Sequence, residues 1–193
     1  MLEALYLTRS KIRQRLFGFF FSNTGKDYYL SELARHAGTS AGNVQRELLP
    51  FIKDGLVHRS KRGKLTFYSL NPRHTLYPEI KSLVLKTVGV EGALKSLVGR
   101  DKDIKLALMY GSFAQAREHG QSDIDLLVVS EGKLKEFYGA LSKLESRFSR
   151  EVNPTVYSKK AFREKIAAKD VFISHVLSQP FRVLKGTVDE YRK

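Results

Sequence analysis

Between Leu7 and Phe21 the apolar residues Ile12, Leu16, Phe19 and Phe20 recur near a helical period and predict a first helix. Asn23 to Asp27 reads as a turn, and Tyr28-Tyr29-Leu30 as a short extended piece. Ser31 is placed to cap a second helix running to Ala37, with Leu33 and Ala34 turned inward. Gly38-Thr39-Ser40 breaks the chain. Thr39 or Ser40 then caps a third helix whose expected inner face is Val44, Leu48, Leu49 and Ile52, ended by Asp54-Gly55. Pro50 lies inside that span, where a kink is expected. Two strand-like runs follow, Leu56 to Ser60 and Leu65 to Leu70, joined by the basic turn Lys61-Arg62-Gly63-Lys64.

Tyr77-Pro78 opens a further helix carrying Ile80, Leu83, Val84 and Val88, and Val90 to Val98 reads as another. The pattern then changes. Ile104 to Tyr110 is apolar enough for a buried strand, as is Ser122 to Val129, and Arg150 to Tyr157 is a later strand-like stretch. The tail from Lys159 reads as helical, with Phe162, Ile166, Val171, Ile173, Val176 and Leu177 as expected core and His175 among them. The chain is thereby divided into residues 1–75, a helical connector over 76–100, and a second domain over 101–193.

Two short helices on a glycine-containing turn, followed by a hairpin with a cationic tip, resemble the winged-helix regulators over residues 8–72. The likeness is to the arsenic-responsive and multiple-antibiotic-resistance repressor type. That resemblance implies double-stranded DNA as a partner and a role in transcription regulation. Thr39, Ser40, Asn43, Gln45 and Arg46 would lie at or near the exposed start of the recognition helix, and Lys61, Arg62 and Lys64, with Arg59, would contact the phosphate backbone or the minor groove. In such regulators a helix like that opening at Tyr77 often makes a homodimer. Packing between the two domains is the equal alternative.

Charge supports a polyanionic partner. The 193 residues hold 34 Lys and Arg against 20 Asp and Glu, a net +14, and the excess is concentrated early, with 15 basic and 6 acidic residues over 1–88. Cysteine is absent, which excludes disulfides and thiolate metal sites. No run of about 18 apolar residues suggests a membrane span, and the N-terminus does not read as a signal peptide, so a cytoplasmic protein is expected.

The second domain carries the chemical signal. Gly111-Ser112 follows the first apolar strand directly, ten residues intervene, and Asp123-Ile124-Asp125 opens the next strand. Residues two apart on a strand share a face, so Asp123 and Asp125 should present their carboxylates together while Ile124 enters the core. Paired carboxylates suit a hard cation such as Mg2+, and glycine permits close approach of the backbone to phosphates.

Gly-Ser, ten residues and Asp-x-Asp together resemble the minimal nucleotidyltransferases, relatives of DNA polymerase beta and kanamycin nucleotidyltransferase. The implied fold class is α+β: a winged helix-turn-helix domain, then a polymerase-beta-like domain with a small mixed sheet flanked by helices. The resemblance implies Asp123 and Asp125 as catalytic metal ligands, Gly111 and Ser112 as nucleotide-binding residues, Mg2+, and ATP or another nucleoside triphosphate.

Two positions depart from that pattern. Asn153 stands where the family places a third acidic residue, and Glu151, two residues earlier, is the candidate substitute metal ligand. Gln115-Ala116 replaces the family's Arg-Gly, which leaves Arg117 to meet phosphate. Three functions stay open here: a DNA-binding regulator whose second domain binds Mg-nucleotide, with or without transfer of a nucleoside monophosphate; an Mg-dependent adenylyltransferase modifying a protein partner, antitoxin-like; and a catalytically silent protein-interaction module.

Overall fold

The computed structural model describes residues 10–115 and 122–192, which divide into two compact units, one up to Gly92 and one from Ala93.

In the first unit, α1 (Lys11–Ser22) is capped by the Ser10 hydroxyl, which accepts from the Arg13 amide at 3.3 Å. Burial extends beyond the expected Leu16, Phe19 and Phe20. Leu16, Phe17, Phe19, Phe20 and Phe21 are all buried, so the C-terminal half of α1 is covered on every side. Aromatic partners explain this: Phe17 packs on Phe51 with ring centroids 4.4 Å apart, Phe19 stacks on His36 at 3.7 Å, and Phe21 meets Tyr77 at 5.6 Å.

β1 (Tyr28–Tyr29) leads into α2 (Leu30–Ala37). The cap is Tyr29 rather than Ser31, because the Glu32 carboxylate reaches back to accept from the Tyr29 amide at 2.8 Å. Gly38 closes α2 at φ +65°, and Arg15 donates to the Ala37 carbonyl at 3.1 Å, pinning that turn to α1.

α3 (Ala41–Asp54) begins on Ser40, whose hydroxyl accepts from the Asn43 amide at 3.3 Å. Its buried stripe is Val44, Leu48 and Phe51, while Leu49 is 48% exposed. The expected Leu49 contact fails because Phe51, three residues after Leu48, takes the inward position against Phe17. Glu47 links α3 to α1 through Ser10 Oγ at 2.6 Å and Arg13 Nε at 2.9 Å.

β2 (Val57–Arg62) and β3 (Leu65–Leu70) form an antiparallel hairpin with β1 on the far edge of β3, giving the order β1-β3-β2. Lys61 and Arg62 belong to the strand rather than the turn, since the pairing continues to Arg62 opposite Leu65 and leaves Gly63-Lys64 as a two-residue connection. α4 (Tyr77–Thr87) buries Ile80, Val84 and Leu85.

α5 (Val90–Arg100) crosses the division between the units. In the second unit β4 (Ile104–Tyr110), β5 (Ile124–Ser130), β6 (Val152–Tyr157) and β7 (Arg182–Lys185) form a sheet in the order β6-β5-β4-β7. It is mixed. β5 runs parallel to β6, and β4 is antiparallel to both β5 and β7. Pro154 is tolerated because β6 is an edge strand.

β7 corrects the expectation of a wholly helical tail: four residues with Val183 46% exposed on an edge carry too little periodicity to announce a strand. α6 (Gly111–Ala114), α7 (Lys135–Phe148), α8 (Lys159–Ala167) and α9 (Val171–Ser178) complete the unit with a 3-10 turn over Val188–Tyr191.

One face of the sheet buries Leu106, Leu108, Leu127 and Val129 under Phe162, Ile173, Val176 and Tyr191. Val171 is not core but 85% exposed, because Asp170 caps α9 and leaves Val171 in its outward first turn. His175 is exposed as well.

Candidate nucleotide and metal site

The site grows from the crossing of β4 and β5. In their antiparallel register Tyr110 lies opposite Asp125, so the chain reverses into Gly111 beside that aspartate. Gly111 has φ +75°, a conformation that side chains rarely adopt, and a Cβ built there would overlap the Asp125 carboxylate oxygen. Glycine is therefore required twice at one position, by backbone conformation and by contact. Ser112 follows in α6, with Phe113 and Ala114 buried beneath it.

At the start of β5 Ile124 is fully buried and Asp125 half-buried, with Asp123 exposed just ahead of the strand. Burial, and then the charge of Asp123, hold the Asp125 carboxyl above its ordinary value of 3.8. The two carboxylates are close enough to repel, the arrangement a divalent cation relieves. Tyr110 completes the wall. Burial pushes its hydroxyl up, its hydrogen bond with Thr155 pulls down, and Asp125 adds to the rise.

The parallel register sets Asn153 opposite Asp125, and the Asn153 amide donates to Asp123 Oδ2 at 3.4 Å. An amide thus stands beside the aspartates, offering a carbonyl ligand but no charge and no proton acceptor of carboxylate strength. Glu151 lies before the first residue of β6 with its side chain exposed, and its backbone carbonyl accepts from the Ile124 amide at 3.0 Å. Among the described residues no group of three or more histidine, cysteine or acidic side chains comes together, so the structure does not gather Glu151 with the pair. Arg117 lies outside the described residues.

Sequence reasoning missed Arg150. It is 5% exposed, its Nη1 donates to the Ser122 carbonyl at 2.5 Å, and its guanidinium lies 5.8 Å from the centre of the Phe113 ring. Nothing in the sequence marks it, because an arginine after a helix reads as solvated. Arg182, one of several tail cations, donates from Nε to the Ala114 carbonyl at 3.2 Å and so meets the end of α6.

The candidate DNA residues divide into two kinds. Thr39, Ser40 and Asn43 are joined to one another: Asn43 donates to Thr39 Oγ1 at 2.9 Å as well as to Ser40 through its backbone. Gln45, Arg46, Lys61 and Lys64 are exposed. Arg62 is exposed too, yet it pairs with Asp27 and lies 4.7 Å from the Phe67 ring centre.

A glycine turn is packed on one of two adjacent aspartates at the head of a mixed sheet. Residues 93–176 match the family described as polymerase beta, nucleotidyltransferase, and the mixed sheet flanked by helices is consistent with it. No curated protein matches the chain.

Among solved structures, a toxin–antitoxin with AMP-PNP is 20% identical, covering 52% of this chain and 77% of that one, with a TM-score of 0.36. The tri-AMPylated Shewanella oneidensis HEPN toxin in complex with MNT antitoxin is 16% identical, covering 53% and 77%, with a TM-score of 0.34. Among the described residues no helix is long and apolar enough to cross a membrane.

Proposed function

We propose that this chain is a DNA-binding protein whose second domain binds a magnesium–nucleoside triphosphate and transfers its nucleoside monophosphate to an acceptor hydroxyl. The observation that carries the nucleotide half is the Asp125 carboxylate lying against Gly111 with Asp123 beside it. Two mutually repelling carboxylates, one of them half-buried, fit a hard divalent cation, which Asp123 and Asp125 would hold. Bound there, Mg2+ supplies charge neutralisation and Lewis-acid polarisation of the reacting phosphoryl group. Gly111, against which the Asp125 carboxylate lies, and Ser112 after it hold the phosphate side. Asn153 steadies Asp123 but does not take a proton, so as the acceptor oxygen bonds to the α phosphorus and the bond to the β phosphate breaks, pyrophosphate leaves and the hydroxyl proton goes to solvent.

The DNA half is supported by α2, its glycine turn and α3 followed by the β2–β3 hairpin, together with the exposed cations Arg46, Lys61 and Lys64. Arg46 and Gln45 would read base edges, and the hairpin cations would meet phosphate.

Titration of the full chain with Mg–ATP in a calorimeter, followed by incubation with labelled ATP and lysate, tests the nucleotide reading. Saturable binding and a labelled product, both lost in Asp123→Asn, are expected. Wild-type protein that binds no Mg–ATP defeats it. For DNA, binding to genomic fragments that weakens steeply with salt is expected, and its absence defeats that half.

A further inference from the structure

The two halves of the Gly-Ser…Asp-x-Asp motif are ten residues apart in the chain, and one side chain reaches the residue adjoining each half, Phe113 after the first and Ser122 before the second. Among the described residues Arg150 is the one charged side chain that is buried. Its Nη1 donates to the carbonyl of Ser122, the residue before Asp123, and its guanidinium lies against the ring of Phe113, the residue after Ser112.

Its approach is tightly defined. Ser149 ends α7 in the left-handed region at φ +50°, and the Arg150 amide donates to the Glu145 carbonyl at 3.2 Å. The Glu145 side chain in turn accepts from the Val152 amide at 2.8 Å. Helix end and strand start are thus fixed on either side of Arg150, which turns it inward between α6 and the head of β5.

Resting on the metal–nucleotide reading above, we propose that Arg150 is a positioning residue that sets the spacing between the Gly111–Ser112 turn and the Asp123–Asp125 edge. The planar fork suits this task. One edge donates to a carbonyl while the guanidinium carbon sits over an aromatic ring, whereas a lysine ammonium is a hydrated point charge that cannot reproduce both. Arg150 acts through backbone and ring, not as a ligand. Its loss should loosen the aspartates relative to the turn and weaken the joint binding of metal and phosphate.

The experiment uses the full chain with Mn–ATP as probe, in calorimetry and in hydrogen–deuterium exchange. Arg150→Met is expected to lower Mn–ATP affinity by about tenfold or more, and Arg150→Lys by about threefold to tenfold, as losses of a buried charge-assisted hydrogen bond. In both, exchange should rise at residues 122–126 while that of α2 and α3 stays unchanged. Arg150→Lys, which keeps the charge and most of the stem, decides the matter if Arg150→Met does not fold. Wild-type affinity together with wild-type exchange at 122–126 in Arg150→Lys overturns the proposal. If wild-type protein fails to bind Mn–ATP, the nucleotide reading falls, and unchanged exchange at 122–126 still overturns the positioning claim separately.

Discussion

At the β2–β3 hairpin Lys61 and Lys64 stand in water, whereas beside Gly111 a half-buried Asp125 is held by its backbone neighbours within reach of a second carboxylate. The hairpin offers charge without fixed geometry. It suits a ligand recognised by charge density, where many weak contacts release counterions. The aspartate cradle holds like charges together, partly out of water, and suits a compact ligand of opposite charge whose position matters. The difference teaches what each surface should do when one side chain is changed: the first should decline by increments, the second should collapse.

The largest expected effect is at the cradle. Asp125→Asn should reduce Mg–ATP affinity by about a hundredfold or more, since loss of a ligand should exceed the 10–100-fold cost of losing a ligand's supporting contact. Calorimetry on folded protein checks it, and a loss of less than threefold would erase the contrast drawn here.

Gly111→Ala should follow. The new methyl meets the Asp125 oxygen at a backbone conformation of φ +75°, and such strain costs about 1–3 kcal/mol. Thermal unfolding should show the destabilisation, and nucleotide affinity should fall with it.

Replacing Lys61, Arg62 and Lys64 together by Gln should weaken DNA binding and flatten its salt dependence by a slope of about two rather than three, at about one per lost phosphate contact. Arg62 is already engaged by Asp27 and Phe67, which is why it is not counted. A slope unchanged from wild type would mean that the hairpin does not touch phosphate.

The smallest effect is a pH dependence. Because the folded-state pKa of Asp125 is raised above 3.8, the folded protein binds a proton more readily than the unfolded chain. Metal-free stability should therefore fall as pH rises through the window between those two pKa values. Mg–ATP affinity should rise across the same window, since the ligand must be ionised. Asp125→Asn should abolish both trends, and persistence of the stability trend in that variant would assign it to another group.

Much of the site is legible in residue spacing, because a strand fixes which side chains share a face and a glycine after a strand announces a turn. Asp123, Asp125, Gly111 and the buried Ile124 follow from period and identity. Leu49 and Val171 do not, because an apolar side chain on a short helix says nothing about which neighbour has already filled the interior. Phe51 took the place of Leu49, and the Asp170 cap left Val171 in an outward first turn. The four-residue β7 is likewise specified by its pairing with β4 and not by any pattern of its own.

The sequence alone determined much of the local conformation and the local chemistry: a helix cap at Ser40, a hairpin at Gly63, and a carboxylate pair two residues apart. These depend on nearest neighbours in the chain, where backbone geometry is nearly universal. Tertiary structure alone decided that Asn153 would stand beside Asp123, that Gly111 would lie against Asp125, and that Arg150 would be buried between the two motif halves. Those placements depend on strand order and register, which are set by how the whole sheet buries its apolar faces.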